Sequence, residues 1–254
     1  MRRTLFVGNW KAHNTIEEAE KYFLELPQHS SQWQHEVILT PPYTCLDLAK
    51  RMLPKNVTLG AQDVSHYGIG HYCGEIPCGL LKPLGVKYVI VGHAERRVMG
   101  EQNDRINIKL KNCLASGMTP ILCVGDTLQE YESNQTKQVI EKQLQECLVG
   151  VSDYAKLVIA YQPIWSIGTG YYATSDFTGI VANLIRKTVQ KIGGNPMAAN
   201  FPLLFAGGVT VENAREYLEA QDIDGLMVGP TSLKPEIFGK IVMTTFEQKK
   251  YNQE

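Results

Sequence analysis

No two cysteines in this sequence are spaced as CxxC, no apolar run approaches the ~18 residues that a membrane span needs, and neither sign of charge is in excess. Each absence removes a class of function. The six cysteines (Cys45, Cys73, Cys78, Cys113, Cys123 and Cys147) are scattered along the chain, as suits reduced thiols rather than a disulfide framework or a zinc knuckle. Lys and Arg number 25 against 26 Asp and Glu, so no basic surface points to nucleic acid. The opening MRRTLFVGNWK reads as a strand rather than the apolar core of a signal peptide, and the expected location is the cytoplasm, away from any membrane. In that setting the Asn-X-Thr matches at Asn56 and Asn134 carry no weight. Linkers, low-complexity segments and charge blocks are also missing. With 254 residues, 44% of them hydrophobic, residues 1–254 read as a single domain able to bury a large core.

What the chain does contain is a rhythm. Short β-rich apolar runs recur at Thr4 to Val7, Val37 to Thr40, Val57 to Leu59, Tyr88 to Val91, Pro120 to Val124, Leu157 to Ala160, Leu203 to Phe205 and Leu226 to Val228. Most lack polar alternation, as expected of parallel strands covered on both faces. Between them, apolar spacings of three and four predict helices over Ile16 to Leu26, Leu46 to Leu53, Ile106 to Ala115, Leu128 to Leu148, Phe177 to Ile192, Val211 to Ala220 and Pro235 to Phe246. Thr15, Asp126 and Ser175 are placed to cap three of them. Eight strands alternating with helices over this length predict an α/β fold of the (β/α)8 TIM-barrel type; a doubly wound open sheet is the rival.

In such a barrel the strand C-termini carry the chemistry. The first strand ends in Asn9-Trp10-Lys11, the fourth in Gly92-His93-Ala94-Glu95-Arg96-Arg97 and the sixth in Gln162-Pro163-Ile164-Trp165. Alternation along an extended segment lets Asn9 and Lys11 face the mouth together while Trp10 packs aside. The seventh and eighth strands end in Ala206-Gly207-Gly208-Val209 and Val228-Gly229-Pro230, turns able to bring backbone N–H groups to an anion. A cation, an amide and an imidazole facing such turns suit a small phosphorylated molecule. Plainer readings compete: Trp10, Tyr161 and Trp165 as core aromatics, Cys123 as a small buried hydrophobe, and Arg96 and Arg97 as members of structural ion pairs at the rim. His66, His71, Cys73 and Cys78 crowd one segment, but their spacing matches no zinc pattern, and no metal is expected.

The motifs FVGNWK, VGHAERR, ILCVGD, AYQPIWSIGTG and DGLMVGPTSLKPE, in that order, resemble the triose-phosphate isomerase family along nearly the whole chain. That resemblance implies exchange of glyceraldehyde 3-phosphate with dihydroxyacetone phosphate through an enediolate, with no cofactor. It gives Lys11 the task of attracting the anionic substrate and Asn9 that of orienting it. His93 would polarise the carbonyl as a neutral ring, its imidazolium disfavoured by the helix start that follows, and Glu95 would lie beside the Lys11 region. A glutamate base paired with a neutral histidine, and a closing loop, are general features attributed to this family. Residues 163–165 and 171–173 would then be the hinges of a lid with 166–170 as its tip. Gly168, Gly208 and Gly229 would bind phosphate. The resemblance also implies a homodimer that pairs through the loop around Cys73.

Four departures from the family pattern stand out. Gln162 occupies the place of the proton-abstracting glutamate, and a carboxamide cannot act as a general base near neutral pH. Pro230 removes one backbone donor from the anion site. Gly208 stands where a serine is usual, and Cys73 where a threonine is expected. Three readings follow: an isomerase disarmed at its base, a diverged isomerase of another phosphorylated ketose drawing its base from Glu95 or water, and a non-catalytic relative that binds a phosphometabolite.

Overall fold

A computed structural model describes residues 2–167, 169–194 and 200–246. Eight parallel strands close on themselves in sequence order: β1 (Leu5–Asn9), β2 (Glu36–Thr40), β3 (Val57–Ala61), β4 (Tyr88–Val91), β5 (Thr119–Val124), β6 (Val158–Tyr161), β7 (Leu203–Phe205) and β8 (Gly225–Val228). Leu5 pairs with Glu36 on one side and Gly225 on the other, which closes the barrel. The predicted barrel is therefore the observed one, and the open sheet is excluded.

Strand parity divides the core in two. Leu5, Val7, Ile38, Tyr88, Ile90, Ile121, Cys123, Val158, Ala160, Leu204 and Met227 fill the barrel interior. Their neighbours along each strand, such as Phe6, Leu39, Val89, Leu122 and Ile159, pack against the surrounding helices. Both faces of every strand are thus dry, which is why the strands read as apolar runs rather than alternating ones. Trp10 belongs to the outer layer, stacked on Phe23 at 5.3 Å and edge-on to Tyr22 at 4.5 Å.

The outer ring comprises α1 (Ile16–Ser30), α2 (Leu46–Met52), α3 (Cys78–Leu81), α4 (Ala94–Val98), α5 (Asn103–Ala115), α6 (Leu128–Glu132), α7 (Thr136–Cys147), α8 (Ser175–Gly193), α9 (Ala214–Leu218) and α10 (Pro235–Val242). Thr15 caps α1 as expected, in a capping box with Glu18. The other two caps sit one residue away from the expected ones. Thr127, not Asp126, caps α6, because Asp126 is buried and its carboxylate is taken by the Thr136 and Tyr161 hydroxyls. Thr174, not Ser175, caps α8. The helix predicted over Leu128 to Leu148 is two helices, interrupted where Asn134 takes a left-handed φ of 57°. Among the described residues no helix is long and apolar enough to cross a membrane.

Candidate active site

Asn9 prolongs the inward series Leu5, Val7 by one more alternate position, and Gln162 does the same for Val158, Ala160. Both therefore rise from the barrel interior into its mouth. Lys11 gets there differently from the extended alternation expected of it. Its φ is +52°, and its N–H donates to Asn9 Oδ1 at 3.0 Å, an Asx turn that supports this left-handed conformation. Gln62, the residue after β3, fastens the turn by donating to the Lys11 carbonyl at 2.7 Å and the Thr40 carbonyl at 2.9 Å. From there Lys11 Nζ reaches Glu95 Oε1 at 2.6 Å.

His93 breaks the parity of β4, and Gly92 is the reason. At φ +68° Gly92 adopts a conformation that side chains with a Cβ resist, and it turns the chain so that the next residue points into the mouth. His93 then stands at the N-cap position of α4, its Nδ1 3.3 Å from the Glu95 backbone nitrogen. Arg97 anchors this corner by donating to the Gly92 and Cys123 carbonyls and to Asn103. Arg96 pairs with Asp63 at 3.1 Å. Among the described residues Arg96 forms the expected ion pair, whereas the donors of Arg97 go to neutral acceptors, the three oxygens just named and Cys147 Sγ. The imidazole is 5% exposed, and burial holds its pKa down to about 4, with the Lys11 charge adding to the effect and Glu95 opposing it. Burial thus favours the neutral ring expected from the sequence.

Gln162 is 3% exposed. Its backbone N–H continues the β5–β6 ladder to the Val124 carbonyl at 2.7 Å. Its side chain is held twice: Oε1 accepts the Ala94 N–H at 2.9 Å, and Nε2 lies 2.8 Å from His93 Nε2. Immediately beyond, Trp165 is buried against Tyr131, ring on ring at 4.2 Å, and the Ser166 hydroxyl donates to the Pro163 carbonyl.

These residues surround a cavity of about 320 Å3. Asn9, Lys11, His93 and Gln162 line it together with Gly208 and Gly229, so six of the residues singled out in the sequence converge. Glu95 is not among the residues that line the cavity; its carboxylate reaches the group through Lys11 and, at 3.7 Å, the His93 ring. Gly168 lies outside the described residues. No aspartate or glutamate is among the described residues that line the cavity. At position 208, where φ is +38°, a Cβ would meet the Tyr172 ring at 3.1 Å and the Ser166 carbonyl at 3.2 Å, a tight fit for any side chain.

Sequence reasoning overlooked Gln62, the Ala94 N–H, and the cavity walls formed by Thr210 and Thr231. Gln62 could have been found, because it directly follows a strand end. The backbone donor of Ala94 has no side-chain signature to read.

A family model described as triosephosphate isomerase matches residues 4–245. The chain belongs to the triosephosphate isomerase family. Bacterial relatives bearing that name match over nearly their whole length. The one from Thermoanaerobacter pseudethanolicus is 40% identical over 246 residues, covering 95% of this chain and 99% of its own. The one from Aquifex aeolicus is 40% identical over 247 residues, covering 94% and 98%. The one from Halorhodospira halophila is 41% identical over 241 residues, covering 94% and 96%.

Proposed function

We propose that this chain binds triose phosphates in the barrel mouth and is, as written, strongly impaired in exchanging glyceraldehyde 3-phosphate with dihydroxyacetone phosphate. In this reading Lys11 attracts the anionic substrate, Asn9 orients it, and Gly208 and Gly229 present backbone to the phosphate. Gly168 completes that anion site from the lid, which closes on the hinges at 163–165 and 171–173. His93 faces the carbonyl as a neutral ring. The reaction then lacks the carboxylate that would remove a proton from carbon.

One observation carries the impairment. The buried side chain at the end of β6 is a carboxamide, and no carboxylate among the described cavity walls stands in for it. A positioned general base is worth about 10²–10⁴-fold in rate. Glu95 is a poor substitute, because its carboxylate is engaged by Lys11 outside the cavity.

The test is to assay the purified chain beside Gln162→Glu with both triose phosphates. Recovery of about 10²–10⁴-fold in the variant supports an intact site lacking its base. Efficient turnover by the unaltered chain would overturn the impairment. Inactivity of both proteins, with phosphate ligands still bound, would favour the non-catalytic binding relative.

The assembly we infer is a homodimer. It is supported by the segment between β3 and α3, where Tyr67 and Tyr72 stack at 4.0 Å and Ile69, Tyr72 and Cys73 stand exposed. A purely monomeric species at micromolar concentration in equilibrium sedimentation would rule it out. Six unpaired thiols, five of them buried, support a reducing compartment such as the cytoplasm.

A further inference from the structure

We propose that Gln162 also sets the tautomer of His93, holding the ring with its proton on Nδ1 and leaving Nε2, the nitrogen beside the amide, as a bare acceptor. The chain would then lack both halves of the chemistry: the base that takes a proton from carbon and the N–H that polarises the carbonyl. The tautomer stands on the geometry alone, and its catalytic consequence rests on the reading of the pocket given above.

The contacts leave few alternatives. Two hydrogen-bond donors converge on the end of the residue 162 side chain whenever His93 carries its proton on Nε2: that N–H and the Ala94 N–H. A carboxylate would accept both at once. A carboxamide has one accepting end and one donating end, so it can satisfy only one of them. With Oε1 on Ala94 at 2.9 Å, the NH2 group faces His93 Nε2 at 2.8 Å, and that nitrogen has to be the acceptor. A neutral ring then carries its proton on Nδ1.

The mismatch moves to Nδ1, where the Glu95 N–H lies at 3.3 Å. That contact is longer than those around the amide and only part-buried, where they are fully buried. The Glu95 Oε2 carboxylate oxygen, 3.7 Å from Nδ1, also attracts a proton placed there. Flipping the amide would rescue the other tautomer but press NH2 against the buried Ala94 N–H. An unsatisfied buried donor costs roughly 1–3 kcal/mol, more than a longer contact that is only part-buried. A doubly protonated ring would set two donors face to face at Nε2. Gln162 is therefore a positioning residue for His93 as well as the replacement for the base.

Nitrogen-15 NMR of histidine-labelled protein tests this, with His93 assigned by its loss in His93→Asn. In the native chain, His93 Nε2 is expected at shifts of an unprotonated ring nitrogen and Nδ1 at those of a protonated one, with the Nδ1–H form in at least about tenfold excess. In Gln162→Glu the pattern should reverse. A native population of half or more with the proton on Nε2 would overturn the proposal. Should Gln162→Glu fail to fold, the native spectrum alone decides. Recovery of turnover without reversal of the tautomer would sink this inference and leave the missing-base reading standing; reversal without recovery would do the opposite.

Discussion

Lys11 Nζ lies 2.6 Å from Glu95 Oε1, a contact that ties the turn after β1 to the first turn of α4 across the barrel mouth. Glu95 is half exposed, so solvent screens the pair and its contribution to stability is small, at most about 1 kcal/mol. The cation matters for ligands instead. Lys11→Met is expected to weaken binding of a triose phosphate by roughly ten- to a hundredfold, while shifting stability by less than about 1 kcal/mol. Titration calorimetry and urea denaturation measure the two separately. A loss of stability that matched the loss of affinity would show Lys11 to be structural.

His93 should make the protein sensitive to mild acid. Its folded pKa is lowered from 6.5 to about 4, so between those values the unfolded chain takes up a proton that the folded chain refuses. Stability from this group is complete above pH 6.5 and is lost as the pH falls towards 4, by about 3 kcal/mol in all. His93→Gln removes the titration. The difference in denaturation free energy between the two proteins should shrink as the pH drops from 7 to 4.5. A difference independent of pH would refute the assignment.

Pro230 begins the 3₁₀ turn that follows β8 and lines the cavity beside Gly229. Having no N–H, it cannot donate to a bound phosphate. Pro230→Gly is expected to tighten binding of a phosphorylated ligand by roughly ten- to a hundredfold, as befits one added hydrogen bond to a charged group. Unchanged affinity for glycerol phosphate would show that the turn does not touch the anion.

Gly125 follows β5 at a point of close backbone approach. A Cβ there would lie 1.8 Å from the Gln162 carbonyl oxygen, so Gly125→Ala has to separate the ends of β5 and β6. A loss of roughly 1–3 kcal/mol in stability is expected, as for an overpacked core. The Gln162 to His93 contact should be broken with it. Thermal unfolding and the His93 nitrogen shifts would record both, and a variant with native values of each would contradict the geometry.

Much of this architecture is legible in the chain because each strand is buried on both faces, so Tyr88 to Val91 or Leu203 to Phe205 appears as an uninterrupted apolar run. Local polar chemistry was read less well. Asp126 has the composition of a cap, yet it is drawn inward by the hydroxyls of Thr136 and Tyr161, partners that no sequence window brings together. Lys11 was placed correctly for an inadequate reason: the extended alternation invoked for it gives way to a left-handed turn held by Asn9 and Gln62. The long helix over 128–148 failed at Asn134 because apolar spacing persists across a break that only the backbone reveals.

By itself the order of residues determined the barrel and the carboxamide at the end of its sixth strand, since these depend on side-chain polarity, strand period and the identity of one functional group. Only the tertiary structure decided what that group does instead. Ala94 and His93 belong to a different strand end, and their distances from the amide, 2.9 and 2.8 Å, determine which end of it each one meets. Hydrogen-bond polarity is a property of atoms in contact, and those contacts exist only once the barrel has closed.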